Sequence, residues 1–149
     1  MVQMLIMASA NADHKAFVMD NGQWIIKLRQ MKDNNVVEEK SFDFAVRIVK
    51  LYKYLTTEKQ EYVMSKQLLR SGTSVGANIS EAQQAQSQMD FLSKMSIALK
   101  ECYESDYWLR LLHRTEYLTK EEYNSIITDC RSITKLLVSI IKTTKENNK

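Results

Sequence analysis

The sequence predicts an all-α protein that folds as an antiparallel up-down four-helix bundle. Its 149 residues include no proline and only three glycines, the residues that most often break helices or mark turns. Four segments repeat apolar residues at helical spacing and are joined by short links. Since 44% of the residues are apolar, the chain can bury a core of the size that is usual for one domain.

The first 35 residues are predicted to form a loosely ordered N-terminal extension, and residues 36–149 the bundle. Met31 begins the stretch MKDNNVVEEKSFDF, which is typical of a natural protein start. We therefore interpret the residues before it as an upstream extension. Their apolar run is short and no basic region precedes it, unlike a secretory signal peptide. The chain also has no run of about 20 apolar residues, so we expect no membrane span.

The first predicted helix begins at Ser41, whose side chain can cap it, and ends near Thr57. Thr57 is in turn expected to cap the second helix. The apolar face of the first helix comprises Phe42, Ala45, Ile48, Val49 and Tyr52, and its opposite face carries Lys40, Arg47, Lys50 and Lys53.

The second predicted helix covers residues 58–86 and contains an unusual pair of glycines. Gly72 and Gly76 are four residues apart and therefore share one face. Each glycine costs a helix about 1 kcal/mol relative to alanine. Close approach of a neighbouring helix would offset that loss. The alternative is a kink at a weakened point of the helix.

The third and fourth predicted helices have clearer start signals. Ser87 or Asp90 can cap the third helix, which covers residues 91–117. The pattern from Thr119 to Glu122 is a capping box, and it predicts the start of a last helix that continues to the lysine-rich C-terminus.

The residues that catalysis or metal binding requires are scattered. A di-iron bundle needs Glu-x-x-His pairs, but His14 lies in the extension and His113 has Arg110 three residues before it. Cys102 and Cys130 lack the spacing of a zinc site, and we interpret them as core residues of a protein in the reducing cytoplasm, with a disulfide as the alternative. We expect no metal, no cofactor and no enzymatic activity.

One cluster on the third helix combines two carboxylates with an aromatic ring. Glu101, Glu104 and Trp108 share a face that borders the apolar stripe, and a half-buried carboxylate needs a partner. Arg70 and Asn78 of the second helix are the candidates. We interpret the cluster as part of an ion pair between helices that fixes the register of the bundle; the alternative is acid–base chemistry.

A row of basic residues follows one face of the last helix. Arg131, Lys135 and Lys142 recur at positions i, i+4 and i+11, and the first helix adds Arg47 and Lys50. The net charge is only +3, so this row is either a solvated face or a set of phosphate contacts. The aromatic residues Tyr103, Tyr107 and Trp108 exceed what one small bundle must bury, and they predict self-association.

Two segments resemble a known family. The segment QLLRSGTSVGANISEA, followed by FLSKMSIALKECYESDYWLRLL, is similar to the bacterial four-helix bundle proteins, also called 23S rRNA intervening-sequence proteins. The resemblance covers roughly residues 42–142. Its motif positions, which we interpret as structural, are Arg70, Gly72, Gly76, Asn78, Glu81, Glu101, Glu104 and Trp108.

The resemblance implies an up-down bundle that assembles as a homopentamer. Similar proteins include the accessory subunit of diversity-generating retroelements, a basic pentamer that binds nucleic acid and a reverse transcriptase. The present chain is much less basic. We therefore expect a cytoplasmic, non-enzymatic homo-oligomer that binds RNA or a nucleoprotein partner. Its phosphate contacts would be Arg47, Lys50, Arg131, Lys135 and Lys142. The alternative is a protein–protein adaptor that binds no nucleic acid.

Overall fold

The computed structural model describes residues 21–147, which form four α-helices and no strand. The helices are α1 (Asn21–Thr57), α2 (Met64–Ala82), α3 (Gln88–Arg114) and α4 (Lys120–Glu146). The all-α prediction is confirmed. Within residues 21–147, no helix combines the length and the apolar character that a membrane crossing requires. The chain divides between Lys32 and Asp33 into two units, and the bundle described below is the second.

Helices α1 and α2 are antiparallel and approach closely at the two glycines. A Cβ atom at Gly72 would lie 2.8 Å from Cγ1 of Ile48, and one at Gly76 would lie 3.2 Å from the carbonyl oxygen of Ser41. Residues that come later in α2 therefore meet residues that come earlier in α1. Because the two glycines have no side chain, the helices can approach this closely. The predicted close contact between neighbouring helices is therefore confirmed.

The neighbouring pairs α2/α3 and α3/α4 also run in opposite directions. Ser105 of α3 donates a hydrogen bond of 3.0 Å to Ser71 of α2, and Lys94 pairs with Glu81 further along α2. At the α3/α4 contact, Gln88 reaches the carbonyl oxygen of Thr144, near the opposite end of α4. These contacts establish the up-down order.

Apolar side chains from all four helices form one core. Burying a side chain of this size contributes roughly 1.5–3 kcal/mol, so the inward stripes hold the helices together. The largest fully buried apolar side chains are Val37, Phe44, Ile48, Leu55, Leu68, Val75, Ile79, Met95, Leu109, Leu112, Ile133 and Leu137.

Two of the predicted helix caps were wrong. Helix α1 continues through Ser41, whose buried hydroxyl donates to the carbonyl oxygen of Glu38 one turn earlier. The hydroxyl of Thr57 donates to the carbonyl oxygen of Lys53 within its own helix. Helix α2 is instead preceded by Glu61, whose carboxylate accepts hydrogen bonds from the backbone N–H groups of residues 63–65. A carboxylate with two oxygens satisfies more free N–H groups at a helix start than one hydroxyl does.

The caps of α3 and α4 agree with the sequence. Ser87 accepts a hydrogen bond from the backbone N–H of Asp90, and Thr119 and Glu122 form the reciprocal capping box. Of the predicted N-terminal extension, residues 1–20 lie outside the described residues, so their loose packing stays a prediction, whereas residues 21–35 belong to α1.

Candidate nucleic-acid interface on helices α3 and α4

The structure separates the five predicted phosphate contacts into two groups. On α1, Arg47 is ion-paired with Asp129 of α4 and also donates to the hydroxyl and carbonyl oxygens of Ser125. Both terminal nitrogens of this guanidinium group are therefore engaged. Lys50 lies nearby in a groove that Glu121 and Glu122 also line. These acidic neighbours lower the electrostatic potential around Arg47 and Lys50. Arg47 itself links α1 to α4 through its contacts with Asp129 and Ser125.

Arg131 lies on the other flank of α4 and contacts α3. Its Nε atom donates a hydrogen bond of 2.9 Å to Oδ2 of Asp106, and the Nε atom of Arg110 donates one of 2.7 Å to Oδ1 of the same carboxylate. The hydrogen bond to Asp106 raises the pKa of Arg131. Among the described residues, nothing accepts a hydrogen bond from the terminal Nη atoms of either arginine, and more than half of each side chain is exposed.

The two lysines of the predicted row continue along α4 from Arg131. Lys135 is exposed and has no ion pair in the part of the chain that the structure describes. Lys142 lies 3.9 Å from Glu146, and both side chains are largely exposed, so water screens this contact and it contributes little. We call the set Arg110, Arg131, Lys135 and Lys142 the α3/α4 basic face.

A groove next to this face is lined by basic and aromatic side chains. His113 stacks on Tyr123 with ring centroids 4.5 Å apart and planes 7° apart. The described residues that line it are Tyr107, Arg110, Leu111, His113, Arg114 and Tyr123. Sequence reasoning missed Arg110 and Arg114 as binding candidates, although their spacing of four residues on α3 places them on one helical face.

The predicted ion pair between helices does not form at the carboxylate cluster, although two members of the cluster do contact each other within α3. Trp108 donates a hydrogen bond of 3.2 Å to Glu104. Burial and the charge of Glu104 raise the pKa of Glu101, and Arg70 opposes the rise through its charge without a direct ion pair. Asn78 was wrongly predicted as a partner. Its side-chain amide donates to the carbonyl oxygen of Ser74 one turn earlier in α2, because that acceptor is within reach on the same helix.

The two cysteines are free and buried, as predicted for core residues. The thiol of Cys130 donates to the carbonyl oxygen of Cys102 at 3.4 Å. Burial raises the pKa of Cys102 to about 12 and also raises that of Cys130. Among residues 21–147, no group of three or more His, Cys, Asp and Glu side chains is placed to hold a metal ion.

Comparison with known proteins identifies the family. The family model described as 23S rRNA-intervening sequence protein matches residues 33–139. A crystal structure of a protein of unknown function from the S23 ribosomal protein family of Bacteroides thetaiotaomicron is 64% identical, with a TM-score of 0.73. The match covers 74% of this chain and 98% of that chain. No curated protein matches significantly. The chain therefore belongs to the 23S rRNA-intervening sequence protein family.

Proposed function

We propose that this protein is a non-enzymatic, homo-oligomeric bundle that binds RNA through the α3/α4 basic face. The observation that carries the proposal is the position of Asp106, which holds Arg110 and Arg131 by their Nε atoms. Each guanidinium group keeps its two Nη atoms for an outside acceptor. A phosphate accepts such paired donors in a bidentate arrangement, and these charge-assisted hydrogen bonds are among the strongest in proteins.

Positioning of the two arginines favours binding because less side-chain freedom is lost when a phosphate arrives. Lys135 lies one helical turn after Arg131, and Lys142 two turns after Lys135. The face therefore offers four cations along two helices, with Asp106 between the two arginines and the exposed Glu146 beside Lys142. By contrast, the other two predicted contacts, Arg47 and Lys50, lie among acidic side chains, and we exclude them from the interface.

The names of the relatives support a role near ribosomal RNA. The description of the matching family refers to an intervening sequence of 23S rRNA. The name of the crystallised relative assigns it to a ribosomal protein family. Neither name refers to an enzyme. A folded RNA is consequently the first ligand to test.

Self-association would raise the charge that one RNA meets. One chain of net charge +3 is a weak polyelectrolyte, whereas several copies around one axis multiply both the charge and the number of contacts. Exposed apolar side chains on α1 favour association: Phe42 is 69% exposed, and Val46 and Val49 lie on the same face. Light scattering should give a mass several times that of the 17.4 kDa chain, and a pentamer is the expected state. A monomeric mass at micromolar concentration would contradict the homo-oligomer.

Charge reversal on α4 tests RNA binding against the alternative of a protein–protein adaptor. The variant with both Arg131→Glu and Lys135→Glu should bind structured RNA at least about tenfold more weakly, since two phosphate contacts are lost. The control is Lys53→Glu with Lys66→Glu, which changes the net charge equally at exposed positions outside this face. Equal RNA affinities of the two variants would contradict the proposal and leave the adaptor as the better account. Thermal unfolding of both variants establishes that each is folded.

A further inference from the structure

We propose that the groove at the C-terminal end of α3 binds one unpaired nucleotide of the RNA, with the base on Tyr107 and the phosphate on Arg110 and Arg114. This inference rests on the proposed function, and it adds that the protein distinguishes single-stranded from double-stranded RNA.

The lining of the groove fits a nucleotide in size and in charge. Its volume is about 410 Å³, within the range of roughly 300–1,000 Å³ that is usual for small-ligand sites. Arginine, tyrosine, histidine and leucine line it, and none of the lining residues in the described part of the chain is acidic. A lining that combines aromatic surfaces with cations favours a flat, anionic ligand.

The aromatic residues of the groove differ in how much surface they leave free. Tyr123 has one ring face covered by His113, and the Nδ1 atom of His113 lies 3.1 Å from the carbonyl oxygen of Leu118. These contacts engage both rings on this side of the groove. Tyr107 touches Trp108 in an edge-on contact with centroids 5.0 Å apart, yet it is 51% exposed. Tyr107 is therefore the ring with surface available for a base.

The two arginines are placed for the phosphate that follows such a base. Arg110 is oriented through its Nε bond to Asp106. Arg114 lies one turn later on α3, is exposed, and has no acidic partner in the described residues. Cations one helical turn apart are neighbours on the helix surface, so both can reach one phosphate.

Whether a base can enter this groove depends on whether it is paired. In a duplex the bases are stacked and paired, and proteins contact mainly phosphates and 2′-hydroxyls across the minor groove. An unpaired base can leave the stack and lie on a tyrosine. The groove should consequently add affinity for single-stranded RNA and none for a blunt duplex, whose phosphates would still contact the α3/α4 basic face.

The test compares two labelled RNAs by fluorescence anisotropy with the full-length chain. One is an unstructured oligonucleotide, and the other is the blunt duplex that it forms with its complement. Tyr107→Ala should weaken binding of the single strand by about 5- to 150-fold, the loss expected for one stacked base, and leave duplex binding almost unchanged. Tyr107→Phe should retain single-strand binding because the ring is kept. Arg114→Ala should lower the salt dependence of single-strand binding by about 0.7 of a unit of slope.

The control variant is Tyr62→Ala, which removes an exposed tyrosine on the link between α1 and α2. It should bind both RNAs like the unchanged protein, and thermal unfolding establishes that every variant is folded. If Tyr107→Ala leaves single-strand affinity unchanged while the duplex still binds, the nucleotide site is wrong and the proposed function stands. If neither RNA binds at low salt, both proposals fail.

Discussion

Gly72 of α2 packs directly against Ile48 of α1, so closely that a Cβ atom at position 72 would lie 2.8 Å from Cγ1 and 2.9 Å from Cγ2 of Ile48. Both of these atoms lie next to the Cβ of a fully buried side chain. Ile48 therefore cannot move aside without disturbing the core. The contact explains why α2 keeps a residue that is unfavourable in a helix.

Gly72→Ala should destabilise the protein for this reason. Alanine recovers about 1 kcal/mol of helix propensity, but overpacking of a core typically costs about 1–3 kcal/mol. We expect a net loss of up to about 2 kcal/mol in urea unfolding. In an Ile48→Ala background the obstructing atoms are gone, and the same substitution should stabilise the chain. A gain of stability from Gly72→Ala alone would contradict the close contact.

Glu61 should make the stability dependent on pH. Burial by itself would raise the pKa of Glu61, but the hydrogen bonds from the backbone N–H groups of Ser65, Met64 and Val63 together hold it below its ordinary value. Its contribution is therefore fully present above the unfolded pKa of about 4.3 and is lost as the pH falls through the lower folded pKa.

Glu61→Gln should consequently lower the free energy of unfolding at neutral pH by about 1–2 kcal/mol, the usual effect of losing a helix cap. The difference from the unchanged protein should shrink in acid. Glu58→Gln removes a nearby exposed carboxylate and serves as the control, with little expected effect. Chemical unfolding at neutral and acidic pH measures both variants. A constant difference between Glu61→Gln and the unchanged protein across that range would show that charge is not involved.

Asp106→Ala tests whether the arginines bind RNA because Asp106 positions them or only because of their charge. Removing this carboxylate makes the face more positive, so a purely electrostatic surface would bind RNA more tightly. Because Asp106 holds Arg110 and Arg131, we expect weaker binding, by roughly 2- to 10-fold for lost preorganisation. Asp129→Ala is the matched control, since it frees Arg47 outside the proposed face. Tighter binding in both variants, measured by the same RNA titration, would contradict a positioning role for Asp106.

The cysteines should be unreactive in the folded protein. Only the thiolate attacks thiol reagents, and burial raises the pKa of Cys102 to about 12. Labelling of Cys102 and Cys130 should therefore require that the α3/α4 contact opens. The labelling rate should rise with the urea concentration. Mass spectrometry after short exposure to a thiol reagent measures this. Fast, complete labelling without denaturant would contradict the burial of both residues.

Local signals in the sequence predicted most of the fold. Helical periodicity and the capping box at Thr119 identified α4, because each of these signals is formed by residues that are close together in the sequence. The start of α1 was missed because Ser41 resembles a cap when the buried Val37 is not counted as part of the same apolar stripe. Nothing in the local pattern showed that Glu61 would cap α2 from the preceding link.

The candidate site was harder to predict because its decisive contacts join different helices. The spacing of Arg131 and Lys135 was visible along α4. The pairing of Arg131 with Asp106 and of Arg47 with Asp129 depends on how α4 packs between α3 and α1. These pairs determine which arginine is free to meet a phosphate. The packing of the helices determines these ion pairs, and the residue pattern of one helix does not show them.

The most direct test of RNA binding by the α3/α4 basic face is a titration of labelled, structured RNA between about 50 and 200 mM salt. Each phosphate contact should add about 0.9 to the slope of log affinity against log salt. We predict tight binding at low salt and a steep slope that falls by about two units in the Arg131→Glu, Lys135→Glu variant. Weak binding at low salt, or the same slope in both proteins, would contradict RNA binding by this face.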